Sequence, residues 1–195
     1  MQQKVPADDL FTVEEFLAVA EYYPDGEKWE LIEAVAVLSP SPTNFHQIIV
    51  LNIGTGLSEW KAAQGSTWVP LIGIGTRVPV SPRSLPQPDI QVLATAPAER
   101  SSETRDGLVL FEILSDSNDK KDEAWRLHVY ASIPNCQHYV TVDQKKPLVT
   151  RHDRANGWKP VLIKGLAATL DLPALGMCIP MAMIYRWTPV GAGKR

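Results

Sequence analysis

Residues 109–117 read Val-Leu-Phe-Glu-Ile-Leu-Ser-Asp-Ser. Val109, Leu110, Phe111, Ile113 and Leu114 suit a strand covered on both faces. Glu112 interrupts them. A carboxylate in such a strand is costly unless a cation or a set of donors compensates it. The stretch therefore predicts a central strand and leaves the question of what pairs with its acidic side chain.

The flanking segments predict the layers around that strand. Thr12-Val13-Glu14-Glu15 has the form of a capping box and predicts a helix to about Ala20. Residues 23–26 form a turn, and residues 28–40, KWELIEAVAVLSP, predict strands. Glu30 stands alone there among apolar neighbours, and Glu33 is expected to be exposed. From Thr43 onward Phe45, Ile48, Ile49, Ile53, Leu57 and Trp60 recur at helical spacing. Gly54 and Gly56 weaken that helix, each by up to about 1 kcal/mol.

Residues 67–80 predict one or two strands, with Pro70 and Pro79 at edges or strand ends. A strand starts at Asp89, and residues 95–107 form a polar surface loop. Asn118 or Asp119 caps the next helix, which carries Trp125, Leu127, Val129 and Tyr130 and ends at Ile133-Pro134-Asn135. Residues 136–143 and 147–153 predict a hairpin, 158–165 a further strand, and 170–187 turns with a short closing helix. Residues 188–195 are expected as a flexible tail. No repeat or linker divides the chain, so it predicts one α/β (α+β) domain, with helices flanking a mixed central β-sheet.

Composition narrows the function classes. The chain of 195 residues carries a net charge of −3, which argues against a generally basic nucleic-acid binder. The charge is uneven, with 7 basic and 16 acidic residues up to 118 and 12 and 6 thereafter. That split builds either one positive face or ordinary solvated surface. No run of about 18 apolar residues is present, so no transmembrane helix and no membrane partner are expected. The start, MQQKVPADDL, lacks the basic-then-apolar layout of a signal peptide, and a cytoplasmic location is expected. Cys136 and Cys178 lack metal-ligand spacing and are expected as small core residues in a reducing compartment.

Three acidic residues lie on strands or at their mouths: Glu30, Asp89 and Glu112. Asp89 follows Pro88, which precedes it in an extended stretch, and Glu112 points to the opposite side of its strand from Ile113. If the two strands are neighbours, Asp89 and Glu112 converge. Converging carboxylates repel, and a hard divalent cation relieves the repulsion. Mg²⁺ takes few protein carboxylates and leaves positions for water and phosphate oxygens. For each carboxylate taken singly, a salt bridge or an edge position explains it equally.

The combination resembles a known family. "WELIEAVAVLSPSPTNFHQ", "PDIQV", "FEILSDS", "WRLHVY" and "HYVTVD" follow in the order found in the bacterial family of restriction endonuclease-related proteins within the PD-(D/E)XK nuclease superfamily, and "LPALGMCIPMAMIYR" resembles that family's ending. The likeness spans about residues 12–187. It implies a restriction endonuclease-like fold, a Mg²⁺-dependent (or Mn²⁺-dependent) endonuclease, DNA as partner, and a homodimer whose two sites address two strands. It assigns Asp89 and Glu112 as metal ligands, with the backbone carbonyl of Ile113 as a further one. Glu30 would bind metal through water or hold the site. His46 and Gln47 would position water or phosphate.

This chain departs from the pattern twice. Leu114 stands where the superfamily commonly has Lys, and Arg126 occupies the helix position to which the family has moved that Lys. Arginine does not give up its proton, so Arg126 could neutralise charge on phosphate but not act as a base. Its structural reading is a pair with Asp122 one turn earlier. Lys120 and Lys121 would substitute for the lysine or face solvent and DNA. Second, Glu33-Ala34 replaces a turn-like Asp/Asn-Gly pair. Two other classes stay open: a non-catalytic nucleic-acid or protein binding module on the same scaffold, and a two-carboxylate hydrolase such as a glycosidase. The latter lacks an evident aromatic sugar platform, since Trp29, Trp68 and Trp125 are easier to place as core.

Overall fold

The computed structural model describes residues 3–4, 10–20, 22–23, 27–97, 99–115 and 120–192. Its elements in chain order are β1 (Gln3–Lys4), α1 (Val13–Ala20), β2 (Lys28–Ile32), β3 (Val35–Ser39), α2 (Asn44–Gln64), β4 (Val69–Ile72), β5 (Gly75–Thr76), β6 (Ile90–Leu93), β7 (Glu103–Thr104), β8 (Gly107–Leu114), α3 (Lys120–Ala131), β9 (His138–Asp143), β10 (Leu148–Asp153), β11 (Pro160–Lys164), β12 (Thr169–Leu172), β13 (Met177–Pro180) and α4 (Met181–Ile184). The capping box forms as expected: Glu15 accepts from the Thr12 amide at 2.8 Å, and the Thr12 hydroxyl oxygen accepts from the Glu15 amide at 3.2 Å. The expected caps of α3, Asn118 and Asp119, lie outside the described residues.

The central sheet runs β11-β10-β9-β8-β6-β4. Only β8 and β9 pair in parallel within it, joined by α3, so the sheet is mixed. Pro70 sits on β4, an edge strand, where its missing N–H costs no ladder bond. β8 is as buried as its sequence requires, and alternation gives its two faces different partners. Val109, Phe111 and Ile113 pack with Ile49, Ile53 and Leu57 of α2 and with the C-terminal segment. Leu110 packs on the other face with Val129 and Tyr130 of α3. Glu112 shares that second face.

The C-terminal region corrects three expectations. Residues 169–180 form a hairpin rather than turns, because Leu170, Leu172, Met177 and Ile179 alternate with exposed residues and bury one face in the main core. Residues 188–192 are not a free tail: Thr188 is buried and its hydroxyl donates to the Tyr185 carbonyl. Cys178 is exposed, whereas Cys136 is buried as expected. Within the 95–107 loop, Glu103 and Thr104 make a short parallel ladder with β5.

The β2–β3 hairpin, with β1 paired to β3, forms a separate three-stranded sheet tied to the body by a clamp. Its turn puts Glu33 at φ 48° and Ala34 at φ 68°, left-handed conformations that favour glycine and asparagine. The turn is held from a distant segment: the Glu33 amide donates to Ser84 Oγ, the Ala34 amide to the Arg83 carbonyl, and Ser81 Oγ to the Glu33 carboxylate. Trp125 Nε1 donates to the same carboxylate at 3.0 Å.

Helix α2 tolerates its glycines for a structural reason. A Cβ at Gly56 would lie 2.9 Å from Met183 Cε, so the small residue lets α4 approach. A Cβ at Gly54 would meet only Ile72 Cδ1, at an ordinary 3.5 Å. Gly54→Ala is therefore expected to raise stability by about 0.5–1 kcal/mol through helix propensity. An increased urea midpoint with an unchanged denaturant slope is the expected reading.

Candidate metal centre and active site

β6 and β8 are neighbours, and Ile90 pairs with Phe111 at the end of their ladder. One residue further, Asp89 stands opposite Glu112, so the two carboxylates fall on one face of the sheet. There β6 has ended, and the Ile113 amide donates instead to Asp89 Oδ2 at 2.8 Å. The side chain of Asp89 thus continues the ladder. Both carboxylates open on a cleft of about 980 Å³, whose lining includes Lys28, Glu30, His46, Gln47, Ile113 and Arg126.

Glu112 and Glu30 are joined by Arg126. Its Nη1 lies 2.9 Å from Glu112 Oε1 and 3.1 Å from Glu30 Oε1, and its Nη2 lies 3.0 Å from Glu30 Oε2. Its Nε reaches Asp122 at 3.3 Å, the pair one turn away that the sequence suggested. Tyr130 Oη donates to Glu112 Oε1 at 2.8 Å. The guanidinium is buried at 7 % exposure and spent on carboxylates. Arg126 thus ties Glu112 to Glu30 at the wall of the cleft. Glu30 takes the site-holding place, accepting also from the Gln87 amide and Ser39 Oγ.

Asp89 has its own partners. Lys28 Nζ lies 3.0 Å from Oδ1 and His46 Nε2 3.1 Å from Oδ2. His46 is thus mostly buried and turned into the site rather than a surface residue at the start of α2. Gln47 is exposed on the cleft wall. Lys120 and Lys121 are exposed on the first turn of α3 and do not line the cleft.

The electrostatics follow from this arrangement. For Glu30, burial works against ionisation, but Arg126 and Lys28 outweigh it and bring the carboxyl down to about 2. For Asp89, burial is likewise outweighed, by the His46 hydrogen bond and Lys28, and its carboxyl is held below the usual range. For Lys28, burial is outweighed by Asp89, Glu30 and Glu112, which keep it charged. Glu112 goes the other way. Burial dominates, and Asp89 and Glu30 add repulsion that Arg126 does not cancel, so its carboxyl is pushed up to about 7.

Burial and the neighbouring Asp89 and Glu30 carboxylates therefore favour a proton on Glu112, against the pull of Arg126. A divalent cation would supply positive charge in its place. Among the described residues both hydrogen bonds of Glu112 fall on Oε1, leaving Oε2 for a ligand. The donors are hard oxygens suited to Mg²⁺, which needs only one or two carboxylates. No cluster of three metal-capable side chains occurs among the described residues.

Sequence reading missed Lys28 and Tyr130. Lys28 precedes Glu30 by two residues, so strand alternation alone puts it on the same face. Tyr130 follows Arg126 by one helical turn and had been read as core, where its ring does sit.

The mixed sheet and the carboxylate pair at its end are not generic features. Together they define a nuclease-like protein of the restriction endonuclease-like class. The chain belongs to the Uma2 family, described as "Putative restriction endonuclease", whose profile matches residues 13–182. A crystal structure described as a "putative nuclease belonging to DUF820" from Anabaena variabilis ATCC 29413 superposes with a TM-score of 0.73 at 17% identity. The match covers 91% of this chain and 98% of that one, and at this identity it is a likeness of fold. No curated protein matches the chain. No helix among the described residues is long and apolar enough to cross a membrane.

Arg126→Ala would leave Glu30 and Glu112 buried without their shared cation and is expected to cost about 3–5 kcal/mol in urea unfolding. The raised Glu112 carboxyl makes a second prediction. Its proton stabilises the fold fully below the unfolded value of 4.5, and that contribution is lost as pH rises through about 7. In EDTA, raising the pH from about 5 to about 8 should remove roughly 2–3 kcal/mol through this group. Glu112→Gln should lack that share of the fall.

Proposed function

We propose that the chain is a metal-dependent endonuclease that hydrolyses DNA phosphodiester bonds. Asp89 and Glu112 hold Mg²⁺, or Mn²⁺ in its place, with the Ile113 carbonyl as a further ligand. The observation that carries this reading is Glu112, a carboxylate buried at a strand end on the lining of an open cleft, whose hydrogen bonds among the described residues both fall on Oε1. A buried acidic site beside a cleft with room for a phosphate is costly to build and has an evident use.

The metal, when bound, would lower the pKa of a coordinated water and neutralise phosphate oxygens. The chain's own residues do the rest. Arg126 and Tyr130 fix Glu112 through Oε1, which leaves Oε2 for the cation. Glu30 holds Arg126 with both its oxygens, and His46 and the Ile113 amide orient Asp89. Gln47, Lys120 and Lys121 contact flanking phosphates, which sets register without reading sequence. A homodimer would let two such sites act on two strands.

Calorimetric titration with Mg²⁺, together with nicking of supercoiled plasmid, tests this directly. The wild type should bind and nick, and Asp89→Ala and Glu112→Ala should lose both properties. A wild type that neither binds Mg²⁺ or Mn²⁺ nor nicks would refute the catalytic reading. It would favour a second reading, a non-catalytic binding module on the same scaffold. That reading draws on Asp89, both of whose oxygens already have partners, and on Arg126, which pairs with the other two carboxylates without a metal.

A further inference from the structure

Asp89 divides its two oxygens between different kinds of partner. Oδ2 accepts from the Ile113 backbone amide at 2.8 Å and meets His46 Nε2 at 3.1 Å. Both partners sit on regular elements. Oδ1 is held by Lys28 Nζ, at 3.0 Å. A divalent cation bound at Oδ1 would lie close to that ammonium, and the repulsion between the two positive charges favours its departure.

Lys28 can move where Arg126 cannot. The Lys28 side chain is 28% exposed, against 7% for Arg126. Arg126 is held at both terminal nitrogens and at Nε. The hydrogen bond of Lys28 to Asp89 is single, its stem is flexible, and it lines the cleft. Strand alternation fixes its Cα on the Glu30 face of β2, while Trp29 turns away to stack on Tyr23 at 4.4 Å.

We propose that Lys28 is a second-state residue of the site, holding Asp89 Oδ1 while no divalent cation is bound and passing to the scissile phosphate once one is. This rests on the nuclease reading above and names the group that carries positive charge to the phosphate in this chain. Hydrolysis adds negative charge to the phosphoryl oxygens in the transition state, and a cation aimed at them lowers the barrier. An ammonium displaced from Asp89 by the incoming metal is left in the cleft, and the nearest new anion is the phosphate.

The test uses the full chain as wild type, Lys28→Met and Lys28→Arg. It combines Mg²⁺ calorimetry, melts in EDTA and single-turnover cleavage at saturating Mg²⁺. Lys28→Met removes the competitor for Oδ1, so Mg²⁺ should bind about tenfold more tightly. The same variant should melt lower in EDTA, recover on adding Mg²⁺, and cleave about 100-fold more slowly. Lys28→Arg keeps the charge and should stay near wild type in metal affinity, with part of the rate retained.

Lys28→Met that binds Mg²⁺ no more tightly than wild type, or that cleaves at the wild-type rate, overturns the inference while leaving the nuclease reading intact. A wild type that takes no metal and cuts nothing overturns both. The wild-type arm therefore separates the two failures.

Discussion

One buried guanidinium holds the site together. Arg126 comes from α3, Glu112 from the central strand, and Glu30 from a hairpin outside the central sheet. A buried ion pair seldom gives net stability over an apolar replacement, but removing one partner leaves a charge stranded. Each of these elements therefore constrains the other two. The fork of N–H donors on arginine serves both carboxylates at once, which a single ammonium does less well. An arginine at this position thus serves the architecture of the site, and the more exposed of the two cations, Lys28, stands on β2.

The layers were legible because their signals are local. The capping box at Thr12, the apolar spacing along α2 and the run through β8 each lie within one continuous stretch of sequence, and each forms as read. The pairing of Asp89 with Glu112 needed one further assumption, that two strands were neighbours, and the register supplies it. The C-terminal hairpin was harder to see. Gly176 and two prolines around it resemble a string of turns, although Leu170, Leu172, Met177 and Ile179 carry the alternation of two short strands.

The partners within the site were not legible, because they are long-range. Lys28 meets Asp89 across 61 residues and Arg126 meets Glu30 across 96. Local pattern gave Arg126 a neighbour in Asp122, which is present, but said nothing of the two buried carboxylates that engage its terminal nitrogens. Family likeness located the acidic positions and Arg126 itself. It left the direction of each side chain, and hence the division of labour between Arg126 and Lys28, to the folded geometry.

The turn between β2 and β3 has a consequence for how the protein comes into being. Its left-handed Glu33 and Ala34 lack the residues that let a hairpin close by itself. It is clamped by Ser81, Arg83 and Ser84, about fifty residues downstream. During synthesis the hairpin therefore waits for that strip to emerge, and Glu30 waits further for Arg126. The acidic cleft cannot be completed before Arg126 is made, so that a nascent chain carries the carboxylates before it carries the cation that joins two of them.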